Sequence, residues 1–161
     1  MFKKTLIAMF ALLALAVPAA ASAASNTGAV VFSKSSKVGD EAEGGLFAVK
    51  DGRLNQVTED PTDSEPNFSP DGRTVAFARG GDIYSVRPAG PGQRQLTSGP
   101  EIDSLPKIAP NGRYVVFERR TTEGGPASLY TVGALGGGLR GLTSGGKDRE
   151  GAFSPDGKGI A

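Results

Sequence analysis

The chain has 161 residues, with 18 Lys and Arg against 17 Asp and Glu, no histidine and no cysteine. That composition excludes disulfides, lipid attachment through a cysteine, imidazole or thiol catalysis, and the common zinc sites. A near-neutral chain without a basic block offers no electrostatic footprint for nucleic acid or anionic lipid, and 24 Gly with 11 Pro exclude long helices.

The first segment reads as a secretory signal peptide over residues 1–23. Lys3 and Lys4 precede an unbroken apolar run from Leu6 to Val17, and Pro18 leads to A-S-A ending at Ala23. This is the charged, apolar and small-residue order that a signal peptidase reads. The apolar run is shorter than the ~20 residues that a bilayer span needs, so cleavage after Ala23 and no retained membrane span are expected. The loss of Lys3 and Lys4 takes the net charge from +1 to −1.

From Gly28 onward, short apolar strands recur. The strand G-A-V-V-F-S from Gly28 is followed by L-F-A-V-K from Leu46, the pair Val57-Thr58, a short segment Pro66 to Ser69, and the turn S-P-D-G. The same series then repeats: T-V-A-F-A-R from Thr74, I-Y-S-V-R from Ile83, Leu96-Thr97, Pro106 to Ala109, and A-P-N-G. It runs again through Y-V-V-F-E-R from Tyr114, L-Y-T-V-G from Leu129, Leu142-Thr143, Gly151 to Ser154, and a last S-P-D-G. Pro70, Pro110 and Pro155 mark periods of 40 and 45 residues. Four strands in each period of ~40–45 residues predict an all-β β-propeller of four-stranded antiparallel blades. The units fall at about 28–65, 66–105 and 106–150, with the start of another at 151–161, so residues 24–161 read as a partial propeller of about three blades.

In each turn, proline presets φ at the first corner, Asp or Asn suits the second, and glycine takes the positive φ that closes the hairpin. Val75 to Ala78 is apolar on both faces, which predicts a strand sandwiched between neighbouring blades. Phe32, Phe77 and Phe117 occupy one repeat position and are expected in the core. The loops between the second and third strands differ most. Lys34 to Gly45 reads as long, Gly80-Gly81 as minimal, and Arg120 to Ala127 as intermediate. Variable loops on a rigid scaffold are where binding is expected.

The pattern F-S-P-D-G-R-x-V-A-F, followed by D-I-Y-S-V and Q-L-T-S-G, resembles the WD40-like repeat of TolB-type propellers. The resemblance extends from Gly28 to the end. It implies a six-bladed ring, of which this chain supplies about half, and exposure to the periplasm or the exterior. In that family the propeller works with a peptidoglycan-associated lipoprotein, which implies a protein or peptide partner. The family's α/β domain between signal and propeller has no counterpart in these residues. An incomplete ring leaves strand edges open, so self-association through them is expected.

For function, the expectation is an exported, non-enzymatic binding module without a cofactor. The alternative is a piece of the propeller that covers the catalytic domain of prolyl-oligopeptidase-type serine peptidases. No catalytic residue, cofactor-binding residue or metal ligand set is assigned. Asp63, Asp103 and Asp148 share one phase of the repeat and are the candidate contacts. At the mouth of a central channel they would hold a cation or a basic segment; otherwise they fix the links between blades by local hydrogen bonds.

Overall fold

The computed structural model describes residues 28–161 except Gly39, Asp40, Ala89 and Pro91. The predicted signal peptide and Ala24 to Thr27 lie outside the described residues. Among the described residues eleven strands form three antiparallel sheets, and there is no helix. The first blade is β1 (Val30–Val38), β2 (Glu41–Lys50) and β3 (Arg53–Gln56), paired in that order. The second is β4 (Ser64–Phe68), β5 (Val75–Arg79), β6 (Asp82–Val86) and β7 (Arg94–Gln95). The third is β8 (Ile102–Ile108), β9 (Tyr114–Arg120), β10 (Ala127–Gly133) and β11 (Arg140–Gly141). Past it, Phe153 bridges Ile160 around the last S-P-D-G turn.

The blades stack through the strand that follows each turn. Val75 and Phe77 point to the first blade, into a core with Leu46 and Val86. Ala76 and Ala78 point the other way and pack with Ile108, Val115 and Phe117 of the third blade. Large residues on one face and small ones on the other let the sheets interlock. Burial of Phe77 and of Phe117 stabilises by ~1.5–3 kcal/mol each. Phe32 differs. It is 37 % exposed, because no described blade covers the outer face of β1, and its ring stacks instead on Phe47 of β2.

The segment Lys34 to Gly45, read as a loop, is mostly ladder. β1 and β2 stay paired from Lys34↔Gly45 out to Val38↔Glu41. No proline interrupts this run, and Gly44 lets the chains approach closely: a Cβ there would sit 2.2 Å from the Lys34 carbonyl oxygen.

Each blade closes by one device. In the pairs Val57-Thr58, Leu96-Thr97 and Leu142-Thr143, both amides donate to a single carbonyl of the preceding strand, that of Leu46, Ile83 or Leu129. The threonine hydroxyl accepts that same residue's N–H at 2.8–2.9 Å. The second and third blades also begin on a bulge, at Ser64–Asn67 and Ser104–Lys107. Glu65, Leu105 and Glu150 hold φ of 52–53°, at a cost of ~1–2 kcal/mol for a residue with a side chain. Carboxylates offset part of that cost: the Leu105 amide donates to Glu65 and the Glu150 amide to Glu118, both at 2.5 Å.

Candidate functional site

The strands run between two ends of the blade stack, and polar side chains collect at both. At the link end, the connections between blades enter beside the ends of β5 and β9. Asp63 is 3 % exposed and Asp103 2 %. The Arg79 guanidinium donates to Asp63 at 2.5 and 2.8 Å, and that of Arg119 to Asp103 at 2.7 and 2.8 Å. These two-pronged pairs have the geometry that an arginine fork favours. The guanidinium carbons also stand 5.0–5.6 Å from the ring centroids of the cross-strand pairs Phe77–Tyr84 and Phe117–Tyr130. The hydrogen bond to Asp63 pushes the pKa of Arg79 above its ordinary value, and Asp103 does the same for Arg119.

Asp63 also accepts from the Thr58 hydroxyl of the first blade. Asp148 sits in the third link, its amide donating to the Ala127 carbonyl at 3.2 Å. Its Oδ2 is buried without a hydrogen-bond partner among the described residues. The structure therefore pairs Asp63 with Arg79 of β5 and Asp103 with Arg119 of β9. Among the described residues no group of three carboxylates converges on one point. Nearby, the buried Glu118 pairs with Arg120, whose other nitrogen reaches Ser104 at 2.8 Å. Burial, and then the charge of Asp103, raises the pKa of Asp82.

At the turn end, the repeated hairpin is fixed by a hydroxyl that the sequence reading passed over. Ser69 donates to Asp71 at 2.6 Å and accepts the Thr74 amide at 2.9 Å, while Asp71 accepts the Arg73 amide at 3.0 Å. Ser154, Asp156 and Lys158 repeat the set. In the middle copy Ala109 has no hydroxyl, and only the bond from the Arg113 amide to Asn111 remains. Gly72, Gly112 and Gly157 take φ of 67–70°, as the turn requires. The Ser69 hydroxyl and then the Arg73 amide hold the Asp71 carboxyl below the ordinary carboxylate range; Ser154 and the Lys158 amide do so for Asp156.

The sequence reading also missed that charge divides between the ends. Strand order carries Lys50, Arg53, Arg73, Arg87, Arg94 and Arg113 to the turn end, where Asp51, Asp71 and Asp156 are the acids among the described residues. Most other carboxylates lie at the link end. No run of the linear sequence is basic, so antiparallel pairing alone creates the division.

Three successive antiparallel sheets, bound face to face and each closed by one threonine, with a repeated turn opening the second and the third, have the build of β-propeller blades. The arrangement matches part of a TolB propeller. The chain is similar to the structure of a putative TolB from Agrobacterium tumefaciens, at 26% identity over 66% of this chain and 39% of that one, with a TM-score of 0.52. TolB from Acinetobacter baumannii matches at 25% identity over 74% of this chain and 31% of that one, with a TM-score of 0.60. An oligogalacturonate lyase in complex with manganese shares the fold at 23% identity, over 71% and 36% of the two chains, with a TM-score of 0.51. The chain thus spans 31–39% of the length of these structures. No protein-family model matches it.

Proposed function

We propose that this chain is an exported, non-enzymatic binding module that engages a protein partner in the cell envelope or outside the cell. The observation that carries the reading is the match to two TolB propellers, on a scaffold whose repeated clamps and turns differ from blade to blade chiefly in their exposed connections. The link end supplies such connections: the extended β1–β2 ladder from Lys34 to Ser36, a tight turn at Gly80-Gly81, and the exposed stretch from Thr121 to Gly124 after β9. A chain without histidine or cysteine is suited to binding more than to acid–base or nucleophilic chemistry. The leader-like residues 1–23 and the absence of any membrane-spanning helix among the described residues are consistent with export.

The test is expression of the full chain in a Gram-negative host, with a photo-crosslinking residue at Glu123 of the link end or at Arg113 of the turn end. The expected result is a processed protein outside the cytoplasm and a discrete protein adduct from Glu123. An unprocessed chain in the cytoplasm, or no protein adduct from either position, overturns the reading.

A further inference from the structure

The two seams between blades are built from equivalent positions, yet one is open and the other is closed. At the turn end, the seam between the second and third blades leaves a recess of about 210 Å³. The matching seam between the first and second blades leaves a cleft of about 880 Å³, within the ~300–1,000 Å³ typical of ligand pockets.

The closed seam is latched by three hydrogen bonds. The Ala134 amide donates to the Arg113 carbonyl at 2.9 Å, which folds the loop after β10 back over its own blade. From the second blade, the Ser85 hydroxyl donates to the Ala134 carbonyl at 3.3 Å and Arg94 to the Leu135 carbonyl at 3.2 Å. Strand pairing shows what stands at these places in the open seam. Pro88 replaces Ala134 and has no amide hydrogen to donate. Ala48 replaces Ser85 and has no hydroxyl. Asn55 replaces Arg94 with a shorter side chain. Sequence alone therefore removes the first two latches and shortens the side chain that makes the third.

The open cleft has an apolar floor, formed by Ala29, Ala48, Phe68 and Pro88, and a cationic rim formed by Lys50, Arg73 and Arg87. All three rim cations are exposed. Asp71, also at the rim, is engaged by the Ser69 hydroxyl and the Arg73 amide, and its Oδ2 stands 3.9 Å from Nε of the exposed Arg73 guanidinium, a loose pair that an incoming carboxylate can replace. We infer that this cleft binds an acidic peptide segment of a partner, one apolar side chain seated on the floor and the flanking carboxylates on Lys50, Arg73 and Arg87. The floor decides the class of ligand. An apolar residue between acids matches both layers, whereas sulfated glycans and the sugar-phosphate chain of nucleic acids carry no aliphatic group to seat there. This site lies at the opposite end of the blades from the link loops, so it stands or falls apart from them.

The experiment is fluorescence anisotropy of a labelled Glu-Asp-Leu-Asp-Glu peptide with the purified full chain. Binding is expected, weakening as salt rises, and lost when the acids are replaced by their amides. Charge reversal at Lys50→Glu with Arg87→Glu is expected to weaken it by at least about tenfold. If circular dichroism shows that variant misfolded, Lys50→Gln with Arg87→Gln takes its place, with the same expectation. Latching the seam with Pro88→Ala and Ala48→Ser is expected to reduce binding while the thermal midpoint holds or rises. Unchanged affinity in the folded charge variant overturns the inference. So does tighter binding of a thymidine oligonucleotide or a sulfated oligosaccharide of equal charge, which would make the surface a general polyanion face.

Discussion

Replacing Arg119 by Met is the most direct probe of what holds the links in place. The substitution keeps the apolar stem but strands Asp103, whose side chain is 1 % exposed, without the guanidinium that meets both of its oxygens. Breaking a buried pair from one side costs ~3–5 kcal/mol, because the remaining charge is uncompensated. Loss of the cation from the Phe117 and Tyr130 rings adds ~0.5–1 kcal/mol. Against a domain stability of ~5–15 kcal/mol, the urea midpoint should fall by on the order of 2 M. Arg79→Met should cost less, since Asp63 keeps the Thr58 hydroxyl and Arg79 is the more exposed of the two arginines. Adding Asp103→Asn to Arg119→Met should recover most of the loss, because no charge is then left buried. Urea unfolding followed by far-ultraviolet circular dichroism reads all four proteins. A loss below ~1 kcal/mol for Arg119→Met, or a double variant as weak as the single one, would show that the pair acts as an exposed ion pair and not as a clamp.

The turn carboxylates give a pH test. Because hydrogen bonds depress the Asp71 carboxyl, its contribution is full above the ordinary carboxylate pKa and is lost as pH falls through the lowered value. Asp71→Asn should flatten that part of the acid limb of stability against pH; an unchanged limb would refute the role. Ser69→Ala should cost ~1 kcal/mol in the same unfolding assay. Gly45→Ala should be severe, ~2–5 kcal/mol. Gly45 sits at φ 133°, and a Cβ would meet the Thr58 carbonyl oxygen at 2.1 Å, backbone that no rotamer change can move aside. A near-native melting temperature for that variant would contradict the close approach.

Much of the scaffold could be read from the sequence because its signals are local and repeated. Proline, Asx and glycine at Pro70, Asp71 and Gly72 specify their own turn, and the unbroken apolar run from Val75 to Ala78 reveals burial on both faces. The clamps were hidden because Asp63 and Arg79 are 16 residues apart; they meet only once β4 and β5 have paired. The bulges were hidden for a different reason. Glu65 and Glu150 are acids and Leu105 is apolar, yet all three share one backbone shape, so no single residue type announces it. Phe32 shows the limit of reasoning by repeat, which assigns a position within a blade but not whether a neighbour covers it. The open cleft needed register as well, since the missing amide hydrogen of Pro88 matters only when set beside Ala134.

The hydroxyl of Thr58 makes the unit of local opening different from the visible unit of architecture. It accepts the Leu46 amide at 2.9 Å within the first blade and donates to Asp63 across the boundary. Asp63 is in turn gripped by Arg79 at the end of β5. A fluctuation that peels the last strand from the first sheet must therefore release the link and slacken the second sheet as well. At this junction the first and second sheets are expected to fray together, not one at a time. In hydrogen exchange this joins the Leu46 amide to those around Arg79 in one cooperative group, with the seam at its centre and the sheet interiors on either side of it.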